Sequence, residues 1–80
     1  MDDKTVRDAM LDTVLNQIET GDPPEAKQTF DRLMGAGQSK SQALQKMAAA
    51  LRLEMTRMLN ESQPFDNARY AQLLAKIEID

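Results

Sequence analysis

The chain has 80 residues, enough for one domain with a small core, and it contains neither cysteine nor histidine. This composition excludes disulfides, the usual zinc ligand sets and nucleophilic catalysis of the Ser–His or Cys–His kind. The net charge of −3 argues against broad binding of nucleic acid.

The first predicted helix spans residues 3–20. Apolar residues spaced three and four apart form its buried stripe: Val6, Met10, Val14 and Ile18. Leu11 and Leu15 widen this stripe until apolar side chains cover nearly half of the helix surface, more than one packing partner requires. Gly21 is expected to end the helix in the left-handed conformation.

The second predicted helix spans residues 23–35. Asp22 is its expected N-cap, with Pro23 at the first helical position and Glu25 completing a capping box. Its inward-facing residues are predicted to be Ala26, Phe30, Leu33 and Met34. The segment Gly35-Ala36-Gly37 is expected to end it.

The third predicted helix spans residues 40–60 and is expected to be central, because it carries the longest apolar stripe. It begins at Ser39, which forms a second capping box with Gln42, or at Ser41. The stripe consists of Leu44, Met47, Ala48, Leu51, Met55, Met58 and Leu59.

The fourth predicted helix spans residues 67–78 and follows a break that contains Pro64. Asp66 is its expected N-cap. Phe65 precedes the cap and is expected to pack on Tyr70 as a hydrophobic staple. The rest of its buried face comprises Leu73, Leu74 and Ile77.

The fold class predicted from these elements is all-α. No stretch alternates apolar and polar residues as a strand does, and no hairpin turn signal occurs in the sequence. We therefore expect residues 1–80 to form a single compact bundle of four helices.

The predicted location is the cytoplasm. The sequence opens with acidic and polar residues, which are not typical of a signal or transit peptide. Its longest apolar run covers only residues 47–51, so no membrane span is expected.

From Asp22 onward the chain resembles a family of short, uncharacterised bacterial all-helical domains. The resemblance rests on the order and spacing of these residues: Asp22-Pro23-Pro24-Glu25, Arg32-Leu33, Gly37, Ala43-Leu44, Pro64-Phe65-Asp66, Arg69-Tyr70 and Leu73. It covers about residues 22–77 and implies a fold more than a function, because the family has no assigned activity. Members of the family often carry two histidines four residues apart, at positions that here are Ser41 and Gln45. Any metal or acid–base role of that pair is therefore expected to be absent.

No catalytic residue, cofactor or metal site is predicted, and the protein is not expected to be an enzyme. Asp8, Asp12 and Glu19 share one face of the first helix but lack the converging oxygen ligands that Ca²⁺ or Mg²⁺ requires. The glycines of residues 35–37 have neither the preceding strand nor the lysine of a phosphate-binding loop.

Self-association is the predicted function, through the outer faces of the first and third helices. Leu53 lies opposite the main stripe of the third helix and forms a second apolar strip with Ala49 and Ala50. Leu11 and Leu15 supply the excess apolar surface of the first helix. A homodimer is expected, with an unidentified protein as the other possible partner.

The charges are segregated along the sequence. Residues 1–34 have eight acidic and four basic side chains, residues 35–59 have one and four, and residues 60–80 have four and two. The basic third helix can pair with acidic helices within or between molecules. Alternatively, the second and third helices form a helix-turn-helix-like unit that binds nucleic acid weakly. Its phosphate contacts would be Lys40, Lys46, Arg52 and Arg57.

Overall fold

The computed structural model describes residues 3–78, which form four helices and no strand. These are α1 (Asp3–Thr20), α2 (Pro24–Gly35), α3 (Lys40–Glu61) and α4 (Asn67–Ala75). The predicted all-α class and the four-helix bundle are confirmed. Residues 1, 2, 79 and 80 of the predicted domain lie outside the described residues.

Helix α3 is central, because α1, α2 and α4 all pack against it. Helix α2 also contacts α1 and α4, whereas α1 and α4 make no close backbone approach within residues 3–78. The largest fully buried apolar side chains come from all four helices: Val14, Leu33, Met47, Tyr70 and Leu74.

Two of the predicted helix starts are confirmed by side-chain caps. Ser39 Oγ accepts the Gln42 amide at 3.1 Å, and Gln42 Oε1 accepts the Ser39 amide at 2.9 Å, which completes the capping box. Asp66 Oδ1 accepts the Arg69 amide at 3.1 Å at the start of α4.

The start of α2 differs from the prediction. Asp22 is not the cap, because Pro23 occupies the N-cap position in extended backbone and α2 begins at Pro24. Pro23 has no side-chain oxygen, so no side-chain cap forms and the predicted box with Glu25 is wrong. Gly21, with φ of 71°, adopts the predicted left-handed conformation.

The end of α4 also differs, since the helix stops at Ala75 rather than at residue 78. The guanidinium of Arg32 donates to the carbonyl oxygens of Leu74 at 3.1 Å and Ile77 at 3.2 Å. A side chain from α2 thereby donates to carbonyls at the C-terminal end of α4, where the helix supplies no amide four residues further on.

Two residues predicted to face inward are exposed. Met34 is 41% exposed and Leu59 is 74% exposed. Met34 is about 100° around the helix from buried Leu33, and Leu59 is about 80° around from buried Leu51. Each lies in the last turn of its helix, where this rotation takes it off the packed face.

Candidate interaction surface

A groove runs between α1 and α3, which pack in antiparallel directions. It consists of two adjoining depressions. The first, of about 670 Å³, is lined by residues 8–15 of α1 and residues 40–45 of α3. The second, of about 380 Å³, is lined by residues 4–11 of α1 and residues 45–52 of α3. Leu11 and Gln45 line both depressions and therefore mark the middle of what we call the α1/α3 groove.

The floor of the groove is apolar. Leu11, Leu15 and Leu44 line the first depression, and all three side chains are only partly buried. The floor of the second depression is formed by Val6, Met10, Ala48 and Ala49. Within the described part of the chain, α2 and α4 do not line this groove, so its apolar floor faces water.

The structure brings most of the predicted interface residues together. Leu11 and Leu15 line the first depression and Ala49 lines the second. Leu53 is 60% exposed and lies one turn beyond Ala49. Ala50 is only 4% exposed, so its assignment to the interface is wrong. It lies three residues after Met47, which places it on the core face of α3.

Leu44 belongs to the groove but was predicted only as a member of the buried stripe. The spacing of apolar residues placed it correctly on the α1-facing side of α3, where it packs against the core while lining the first depression. The sequence has no signal that distinguishes a fully buried position from one that lines a groove. The groove depends on how far α1 extends across α3.

The two ends of the groove differ in charge. Asp8, Asp12 and Lys40 line the first depression, which we call the acidic end. Lys4, Arg7 and Arg52 line the second, the basic end, together with no carboxylate. Within residues 3–78, neither set makes a hydrogen bond or an ion pair through its charged groups.

Of the two positions where the resembling family often carries histidines, Ser41 lies at the acidic end and Gln45 lies in the middle of the groove. Gln45 Nε2 donates to Ser41 Oγ at 3.2 Å. No group of three carboxylate, histidine or cysteine side chains suited to a metal occurs in residues 3–78. Of the acidic face of α1, Asp8 and Asp12 reach the groove, whereas Glu19 does not line it.

The four bases predicted to contact nucleic acid do not form one surface. Lys40 and Arg52 lie at opposite ends of the groove. Lys46 Nζ donates to the Glu78 carbonyl oxygen at 3.0 Å. The side chain of Arg57 is 12% exposed and is bound to Glu54, which leaves little of its guanidinium for the predicted phosphate contact.

Glu54, for which the sequence predicted no role, is fully buried. Its Oε1 accepts the Nε of Arg57 at 2.9 Å and lies 3.2 Å from the Nε of Arg69. Its Oε2 accepts the backbone amide of Asp66 at 2.9 Å. These contacts tie the middle of α3 to the start of α4.

The hydrogen bond from Arg57 is the main reason why the pKa of Glu54 falls from 4.5 to about 2, with further lowering by the Asp66 amide and the Arg69 charge. Burial raises the pKa of Glu54, but this effect is smaller than the lowering by the Arg57 hydrogen bond. The same hydrogen bond raises the pKa of Arg57. A sequence signal did exist, because Glu54 is a charged residue three positions after Leu51, on the buried stripe.

Tyr70 joins α4 to α1 through a second buried polar contact. Its hydroxyl donates to Gln17 Oε1 at 2.7 Å, and its ring meets that of Phe65 edge to face, with centroids 5.6 Å apart. The predicted staple is thus confirmed, and the Tyr70 side chain is fully buried. Burial raises the pKa of Tyr70 to about 12, and the hydrogen bond to Gln17 only partly offsets this.

None of the helices within residues 3–78 is both long and apolar enough to cross a membrane. The chain matches no protein-family model, no curated protein and no solved structure at a significant level. The resemblance to bacterial helical domains therefore stays a prediction from the sequence.

Proposed function

We propose that this protein is a non-enzymatic interaction module that forms a homodimer through the α1/α3 groove and the adjoining side chain of Leu53. The observation that carries the proposal is the apolar floor of the groove, in which Leu11, Leu15 and Leu44 face water. Covering apolar surface contributes roughly 25 cal/mol per Å². A domain of this size has a small core, so it gains proportionally more from such cover.

Charges of both signs line the groove, and they favour a second copy of this chain as the occupant. A surface that binds its own copy must be complementary to itself. The acidic end offers Asp8 and Asp12, and the basic end offers three cations. A partner of uniform charge would match only one end. The predicted cytoplasmic location belongs to this proposal and rests on the cysteine-free sequence.

The substitution Leu53→Asp is expected to weaken self-association about tenfold or more, because it places a charge where an apolar side chain would be covered. Sedimentation equilibrium measures the association, and circular dichroism checks that helix content is retained. Leu59→Asp is the matched control, since Leu59 is an exposed leucine of the same helix that does not line the groove. Equal association of both variants and the wild type would contradict the proposed surface.

Weak binding of nucleic acid is a second candidate, supported by the basic end of the groove. Lys4, Arg7 and Arg52 line it, and the lining of this depression includes no acidic residue among residues 3–78. This function predicts retardation of duplex DNA or RNA by the wild-type protein at low salt, lost as salt rises. The substitution Arg52→Glu should reduce it. A wild-type protein that leaves duplex mobility unchanged at low salt would exclude this candidate.

A further inference from the structure

Helix α4 lies in a cleft between α2 and α3, and charged side chains of these two helices hold it at both ends. Glu54 of α3 binds the start of α4 through the Asp66 amide at 2.9 Å and through Arg69 Nε at 3.2 Å. Arg32 of α2 and Lys46 of α3 bind the other end by donating to backbone carbonyl oxygens, those of Leu74, Ile77 and Glu78. Since most of these contacts are to backbone atoms, α4 of a second copy would offer the same ones.

The apolar contacts of α4 also belong to one continuous segment. Tyr70 and Leu74 are fully buried, and Leu73 and Ile77 pack against the core from partly buried positions. With nine residues, α4 is shorter than a helix that is stable alone in water. It is therefore expected to stay helical only while a cleft holds it, and the cleft gains the same contacts from any copy of this segment.

The turn between α3 and α4 differs from the other two turns that join the described helices. Gly21 and Gly37 adopt the left-handed conformation after α1 and α2, with φ of 71° and 93°. After α3, this conformation is adopted by Ser62, with φ of 52° and ψ of 39°. A residue with a Cβ atom has a steric cost there that glycine does not have. Of these three turns, the one at Ser62 therefore gains most from straightening.

We propose that two copies of this chain exchange α4, so that the cleft between α2 and α3 of each copy holds α4 of the other. The contacts between α4 and the cleft are then remade across the two chains, while the hinge at residues 61–64 straightens. This inference does not rest on the proposed function, because the groove between α1 and α3 is not lined by α4 among residues 3–78.

Two hydrogen bonds of the closed turn oppose the exchange. The Gln63 amide donates to the Met58 carbonyl oxygen at 3.1 Å, and Arg57 Nη2 donates to the Pro64 carbonyl oxygen at 3.2 Å. Dimer formation also costs translational freedom. The closed monomer is therefore expected at low concentration, and the exchanged dimer accumulates when α4 opens in a concentrated sample.

The first test measures exchange in the wild-type protein. A concentrated sample is held near its urea midpoint, returned to buffer, and diluted before size-exclusion chromatography. An exchanged dimer should persist after dilution, because its chains separate only when both α4 helices leave their clefts. The substitution Leu53→Asp should leave this persistent dimer unchanged, since it affects association through the groove.

The substitution Ser62→Gly is expected to reduce the persistent dimer. Glycine removes the steric cost of the closed turn in both chains, so the dimer should be weakened about fivefold or more. Ser62 is exposed, so the variant is expected to keep the helix content of the wild type.

A shortened hinge should make the exchange obligatory. Deleting Ser62 and Gln63 removes the left-handed turn and places Pro64 directly after Glu61, so α4 no longer folds back into its own cleft. The shortened protein is expected to be a dimer by sedimentation equilibrium, with the helix content of the wild type by circular dichroism.

Four results would overturn the exchange of α4. These are a wild-type protein without persistent dimer, a persistent dimer that Leu53→Asp removes, equal amounts of persistent dimer in Ser62→Gly and the wild type, and a shortened protein that is monomeric or unfolded. The proposed function is judged separately, by the rapidly reversible association that Leu53→Asp should weaken.

Discussion

Replacing Glu54 by alanine is expected to lower the melting temperature by more than roughly 10 °C. The substitution removes the carboxylate that holds Arg57, Arg69 and the backbone amide of Asp66. Arg57 is then left with little access to water and without its main partner. Removing one member of a buried ion pair costs more than the pair itself contributes, because the other charge stays buried. Thermal unfolding followed by circular dichroism measures the change.

Glu61→Ala is the matched control for Glu54→Ala. Its carboxylate also approaches Arg57, at 3.6 Å, but the Glu61 side chain is 58% exposed. An exposed ion pair contributes little, so the melting temperature should change by no more than about a few degrees. Similar melting temperatures for the two variants would show that burial of Glu54 is not what makes its ion pair important.

The ion pair between Glu54 and Arg57 also makes the stability of the protein depend on pH in the acid range. The pKa of Glu54 is about 2 in the folded protein and near its ordinary value of 4.5 when the chain unfolds. The folded-state pKa is depressed, so the contribution of Glu54 is complete above about pH 4.5 and is lost as the pH falls towards 2. Urea unfolding across this window should show stability declining in the wild type. The Glu54→Gln variant should be less stable at neutral pH and should lose less stability on acidification.

Replacing Tyr70 by alanine is expected to remove about 3–5 kcal/mol of stability, which is comparable to the whole net stability of so small a domain. The ring is fully buried, packs on Phe65 and reaches across to α1. The variant should therefore be largely unfolded without denaturant. Circular dichroism and urea unfolding would show this as a loss of helix content and of the cooperative transition.

Tyr70→Phe is the conservative companion to that variant. It keeps the ring and removes only the hydroxyl that donates to Gln17, so we expect a loss of about 1 kcal/mol. Since Tyr70 is the only tyrosine and the chain has no tryptophan, alkaline titration by absorbance reports this residue alone. The phenol should ionise near pH 12 in the folded protein. Ionisation near 10 in a folded sample would contradict its burial.

Most residues that carry the resemblance to bacterial helical domains help to hold this fold together. Arg32 satisfies the last carbonyls of α4, and Asp66 caps its first turn. Arg69 pairs with Glu54, and Tyr70 fills the core. In this chain these residues serve the packing of α4 against the rest of the bundle.

The residues of the groove were only partly predictable. The excess apolar width of the first helix pointed to Leu11 and Leu15, because a helix with one partner needs a narrower stripe. The same reasoning placed Ala50 beside Leu53, whereas packing buried Ala50. Which charged side chains line the groove was not visible, since it depends on which residues of α3 lie opposite each turn of α1.

The sequence by itself determined the four helices, most of their ends and the all-α class. These features depend on interactions between residues at most about four positions apart, such as the Ser39 and Asp66 caps and the apolar spacing. Only the tertiary structure decided that Glu54 is buried between Arg57 and Arg69, that Arg32 ends α4, and that one face of α1 stays uncovered. Those outcomes depend on which distant segments meet, and local patterns do not contain that information.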